Sequence, residues 1–171
     1  FGRFLLSLPE NTKLRKGEKR FITGHLTAIG GENDKGNRFF KGDDLLDFLN
    51  ISASNIGWIK IDVEGFEMNV INGFLETLAK TNSFIELEIN PKTMQLTKTR
   101  FSDFLNVMDN FSYTPFINDL NIFEHMEKCL QFDVYFVKNQ FADLISPMLK
   151  ISKMNDNFIS TWEESFDSIY N

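Results

Sequence analysis

The chain has 171 residues, 42% of them hydrophobic and 14% aromatic, so it can bury one substantial core and reads as a single domain. Its formal net charge of -6 argues against a general nucleic-acid binder, which carries a basic face. One cysteine, Cys129, excludes an internal disulfide and a thiolate metal cluster and fits a reducing, cytoplasmic setting, and no stretch reaches the roughly 18 to 20 apolar residues of a membrane span.

Residues 3 to 8 read as a strand that runs into a turn at Pro9, Glu10 and Asn11. Residues 20 to 29 read as a second strand, because Phe21, Thr23, Leu26 and Ile29 favour extended backbone although Gly24 interrupts them. Between the two lie Lys13, Arg15, Lys16, Lys19 and Arg20, a charge run that reads as a solvated loop. Residues 30 to 37 form a long turn. Lys35 there precedes Gly36 and no helix follows at once, so a phosphate-binding loop is not indicated. Asp43 or Asp44 can cap a short helix through Leu45, Leu46, Phe48 and Leu49, since a carboxylate accepts the free amides of a first turn.

Residues 57 to 73 are the stretch around which the chain is organised. Trp58, Ile59, Ile61 and Val63 make a short apolar run that ends on Asp62, Glu64 and Gly65, the pattern of a buried strand reaching its carboxyl end. Phe66, Val70, Ile71 and Phe74 then recur at helical spacing, and this helix closes around residues 80 to 82. A second buried strand follows over residues 84 to 89. Side chains alternate along a strand, so Glu86 and Glu88 share one face, as Lys60, Asp62 and Glu64 share a face of the earlier one. With the two strands parallel and adjacent, Lys60 would meet Glu86 while Asp62, Glu64 and Glu88 gather at the carboxyl edge, where open α/β sheets bind ligands.

Pro91 breaks the chain, and Phe101, Phe104, Leu105 and Met108 set the apolar stripe of a helix reaching about residue 110. Residues 113 to 117 read as a strand and 122 to 130 as a helix. Residues 132 to 137 read as a last strand, with Phe132, Val134 and Phe136 facing opposite to Asp133, Tyr135 and Val137. The sheet is expected to end at Lys138. Ser160 with Glu163 forms a capping box for an amphipathic tail helix carrying Phe158, Ile159, Trp162, Phe166 and Ile169, read as docking on its own domain. Cys129 reads as a packing residue, because no motif places His25 or His125 to activate it.

Residues 59 to 67, followed by Val70, Ile71, Asn72 and Gly73 and then by the strand of Glu86 and Glu88, resemble the FkbM-type methyltransferases: a lysine, Asp62, Glu64 and Gly65 at alternating spacing, a second acid at Glu67, a glycine near the helix end and a strand ending in Glu88. The resemblance covers about residues 40 to 138. It implies an α/β, Rossmann-like class I methyltransferase sheet, incomplete here, in which residues 57 to 63, 84 to 89, 113 to 117 and 132 to 138 are strands four to seven, paired in the order four, five, seven, six. The domain then comprises an amino-terminal β and loop segment (1 to 40), the carboxyl-terminal half of the enzyme (41 to 138) and a helical tail (139 to 171). The implied activity is methyl transfer from S-adenosylmethionine to a hydroxyl of a small-molecule or glycan acceptor. Asp62 and Glu64 are the catalytic acids, Glu67 and Glu88 bind substrate, Asp62 and Gly65 bind the cofactor, and no metal ligand set is assigned. None of the ten glycines forms the Gly-rich donor loop of such enzymes, so this chain alone is expected to bind the donor weakly and to be inactive. A noncatalytic α/β interaction module is the alternative; a glycosyltransferase ranks last because no Asp-x-Asp occurs.

Overall fold

The computed structural model describes residues 3–7, 21–24, 31–32, 38–39, 41–118 and 128–170. The chain divides into two units, Phe1–Ile85 and Glu86–Asn171, each described by itself below. The expected turn at Pro9 and the cation run lie outside the described residues, as do residues 122–127 of the expected helix at 122 to 130. No helix among the described residues is long and apolar enough to cross a membrane.

In the first unit, β1 (Arg3–Ser7) pairs antiparallel with β2 (Phe21–Gly24), which is the part of the strand expected over 20 to 29 that the structure describes. β3 (Gly31–Glu32) and β4 (Arg38–Phe39) pair antiparallel, so residues 31 and 32 of the turn expected over 30 to 37 are strand, and residues 33–37 lie outside the described residues. Then come α1 (Gly42–Phe48), β5 (Trp58–Asp62), α2 (Glu67–Gly73), α3 (Leu75–Lys80) and the start of β6 (Phe84–Ile89). The strand order in this unit is β2-β1-β5-β6. The Phe84 N–H donates to the Gly57 carbonyl at 3.0 Å, so β5 and β6 set out side by side from the same end. The outer edge of β5 is covered along its whole length by β1, from Arg3 opposite Asp62 to Ser7 opposite Trp58.

The single helix expected after β5 is two. It breaks at Phe74, whose ring packs against Gly42: a Cβ on Gly42 would stand 2.1 Å from the ring. Asp43 or Asp44 was expected to cap α1, yet α1 starts without a side-chain cap. The Asp43 carboxylate instead accepts the Glu76 N–H (3.0 Å), the Thr77 N–H (2.9 Å) and the Thr77 hydroxyl (2.6 Å), so it caps α3 across 33 and 34 residues of sequence.

In the second unit β6 is followed by α4 (Pro91–Thr97), α5 (Phe101–Asn110), β7 (Tyr113–Asn118), β8 (Phe132–Lys138), α6 (Ala142–Leu149), β9 (Ile151–Lys153) and α7 (Asp156–Tyr170). The order is β6-β8-β7-β9, with β7 antiparallel to both of its neighbours. β8 alternates as expected except that Val137 is buried along with Phe132, Val134 and Phe136. The chain breaks at Pro91 as expected, with β6 ending at Ile89, and Pro91 also opens α4: it occupies the first helical position, where no N–H is needed, and Asn90 Oδ1 accepts the Lys92 N–H. One expectation is corrected: the sheet does not end at Lys138, because α6 turns back through a left-handed Lys150 and returns β9 to the edge of β7.

The tail helix docks within its own unit, as expected. Phe158, Trp162 and Phe166 are buried at four-residue spacing, and Phe101 and Phe132 meet the Trp162 ring edge-on at 5.7 and 5.8 Å. Such pairs add about 0.5–1.5 kcal/mol each beyond the area they bury. The expected capping box does not form. Asn155 Oδ1 accepts the Phe158 N–H, while Glu163 Oε1 accepts the Ser102 N–H at 2.8 Å and so caps α5 from 61 residues away. Arg100 completes that junction with a bidentate pair to Asp167 at 2.8 and 3.0 Å.

Cys129 is 1% exposed, and burial pushes its thiol up to about 12. The folded protein should therefore leave an aromatic disulfide reagent unreacted at pH 8 and release one equivalent of thiol only on denaturation; prompt labelling of the native state would refute the packing role. Gly42→Ala should lower the stability measured by urea titration by about 1–3 kcal/mol, because the Phe74 ring is buried and has no room to retreat. An unchanged midpoint would show that α1 does not rest on Phe74.

Candidate functional site

Along β5 the burial alternates: Ile59 and Ile61 are buried, while Trp58, Lys60 and Asp62 stand half-buried on the other face. This places Lys60 and Asp62 on one face, as the strand period requires. Glu64 lies past the strand end. The chain turns after Val63, with Glu64 at φ 55 and Gly65 at φ 100, and the Glu64 side chain is exposed, yet its carboxylate lies within 4.8 Å of that of Asp62. Glycine adopts such backbone freely, whereas for a residue like glutamate it costs about 1–2 kcal/mol.

The turn is closed by one backbone bond, Phe66 N–H to the Val63 carbonyl at 3.4 Å, and by a side chain. Glu67 Oε1 accepts the Gly65 N–H at 3.0 Å and the Val63 N–H at 3.2 Å. Glu67 is only 3% exposed and lies in the first turn of α2, where the free amides favour negative charge. The backbone amides at 63 and 65 are thus already engaged. Phe66, expected on the buried stripe of the helix, is instead the residue before it and is 47% exposed beside the acids. The clue lay in its neighbours, since a residue wedged between Gly65 and a helix-starting acid belongs to the turn and not to the helix face.

Glu88 belongs to the second unit. On β6 the face of Ile85, Leu87 and Ile89 is buried and that of Phe84, Glu86 and Glu88 is half-buried, the alternation expected of the strand. Glu88 Oε1 accepts an N–H of the Gln131 side chain at 2.6 Å. No sequence pattern pointed to Gln131.

Four acids are thus sorted by environment. Asp62 and Glu88 are half-buried strand residues, Glu64 projects into solvent from a left-handed position, and Glu67 is buried and turned inward. Carboxylates of the first kind can accept hydrogen bonds from ligand hydroxyls and can take a proton from a hydroxyl that is losing one.

Residues 42–143 match the Methyltransferase FkbM domain, a stretch that takes in β5, the acidic turn, α2, β6 and the strands β7 and β8. A search of curated proteins and of solved structures finds no match. The family match covers more than half of the 171 residues and contains Asp62, Glu64, Glu67 and Glu88, and the chain belongs to the FkbM methyltransferase family.

Proposed function

We propose that the chain forms part of an S-adenosylmethionine-dependent O-methyltransferase of this family, with a small-molecule or glycan hydroxyl as acceptor and a Rossmann-like sheet as its frame. The observation that carries the reading is the strand end itself, where the carboxylates of Asp62 and Glu64 lie within 4.8 Å of one another inside the matched domain. Bound there, the donor supplies an electrophilic methyl group on a sulfonium. Asp62 would accept hydrogen bonds from donor hydroxyls, and Asp62 or Glu64 would take the acceptor proton. Glu88 would bind acceptor hydroxyls. The acids suit the cationic and hydroxyl-bearing parts of such a donor. Its carboxylate needs N–H groups instead, and the amides of Val63 and Gly65 are turned to Glu67, so the expected part of Gly65 in cofactor binding reduces to letting the backbone turn. This supports weak donor binding by the chain on its own.

A specific observation favours the noncatalytic interaction module as a second reading. α6 buries none of its residues and shows Leu144, Met148 and Leu149 to solvent, beside an open cleft of about 380 Å³ floored by Phe116.

Calorimetry separates the two. S-adenosylmethionine should give no saturable heat with this chain below millimolar concentration, and a micromolar Kd would overturn the weak-binding part of the proposal. In the active enzyme Asp62→Asn should lower kcat by about 10²-fold or more while the melting temperature stays within a few degrees, since it keeps the shape of the strand end and removes the charge. Full activity in that variant would remove Asp62 from the chemistry.

A further inference from the structure

We infer that Glu67 is the positioning residue of the acidic strand end, fixing the direction of Glu64 through the backbone amides of Val63 and Gly65. What Glu64 then does rests on the proposed function; the lock itself does not. A carboxylate with 3% exposure needs partners, because burial without hydrogen bonds disfavours the charged form strongly. Glu67 finds them in the two amides that flank Glu64, at 3.2 and 3.0 Å. These bonds are shorter than the single backbone bond of the turn, at 3.4 Å, so the side chain is the tighter of the two closures.

The same arrangement accounts for a glutamate in left-handed backbone. A turn needing only to reverse direction would be unstrained with glycine at both positions, and Gly65 already supplies one. Keeping a glutamate at φ 55 is unfavourable, and such strain persists only where the surroundings over-determine the conformation. The φ and ψ of Glu64 are set by the 63–64 and 64–65 peptide planes: Glu67 holds the second through the Gly65 N–H, the Phe66 N–H holds the first through the Val63 carbonyl, and the Glu67 bond to the Val63 N–H fixes the plane before them. Glu67 does so from the first turn of α2, so the helix is coupled rigidly to the direction of Glu64. Direct substrate binding by Glu67 would require it to release both amides and to leave its buried site, whereas the positioning role uses the contacts as they stand.

The test compares Glu67→Gln, which keeps an acceptor oxygen at the same reach, with Glu67→Ala, which removes it. Should the alanine variant not fold, Glu67→Asp keeps the charge but is one methylene too short for both amides. Amide hydrogen exchange at Val63 and Gly65 and the three-bond coupling that reports φ at Glu64 are read by NMR. Glu67→Gln should retain the wild-type coupling and protection, while Glu67→Ala or Glu67→Asp should speed exchange at both amides by about tenfold or more and shift the coupling. In the active enzyme the alanine or aspartate variant should lose kcat at constant KM for the donor, and glutamine should restore it, a rescue that loss of stability alone would not give. Wild-type exchange and coupling in Glu67→Ala or Glu67→Asp overturn the inference. A released turn with undiminished kcat leaves the lock standing and takes Glu64 out of the reaction.

Discussion

Backbone amides at the starts of helices and turns must find acceptors, and this chain meets that demand with carboxylates. Asp43 closes the first turn of α3, Glu163 that of α5, Asp103 the Arg100 amide just before it, and Glu67 the turn between β5 and α2. In the first two cases the acid comes from a distant segment, so one interaction both satisfies a helix start and joins two elements. The aromatic packing around Trp162 supplies more of the buried area, but it is not directional; the acid-to-amide bonds determine which turn of α7 faces α5.

This pattern explains why the caps could not be read correctly along the sequence. A capping acid is recognised by its position just before a run of helical periodicity, a local criterion, and Asp43 and Glu163 satisfy it while bonding elsewhere. The strands β5, β6 and β8 and the helix α5 were legible because each largely repeats its own period over five or more residues, and β7 because of its β-favouring Tyr113, Thr114, Phe116 and Ile117. β9 was not, since three residues are too few to show alternation and its place is given by pairing with β7. Pro91 does mark the end of β6, whereas the helix it opens was not legible, because α4 runs for only 7 residues and shows no sustained apolar stripe.

The candidate site was legible both in its residues and in the grouping of Asp62 with Glu64. Period-two alternation places Asp62 and Glu88 on their strand faces, and the structure agrees. Carried one step further it places Glu64 beside Asp62, and their carboxylates do lie within 4.8 Å of one another, although the strand ends at Asp62 and the next turn runs through two residues of positive φ. Nothing local in the sequence announces that break except Gly65, and its consequence depends on Glu67 reaching back. Acids at one strand end therefore separate into three environments over six residues, with Asp62 half-buried, Glu64 exposed, and Glu67 buried and bonded to two amides.

The edge of β5 carries the argument about the donor further. In a doubly wound sheet the ligand crevice opens where a parallel neighbour sends its own carboxyl end, and the loop that follows, to the same side as the acids. Here the neighbour is β1, which runs antiparallel and places its first residue, Arg3, opposite Asp62. The hydrogen-bonding edge of β5 is occupied over all five of its residues, so no parallel strand can be added there without displacing β1. What faces Asp62 across that edge is the beginning of a strand and not a strand-to-helix loop with free amides. The family sequence and the acidic turn are both present, yet β5 lacks the neighbour that would bring a phosphate- or carboxylate-binding loop beside it. In this arrangement the acids can accept hydrogen bonds from hydroxyls or cationic groups, while the amides of Val63 and Gly65 are already held by Glu67.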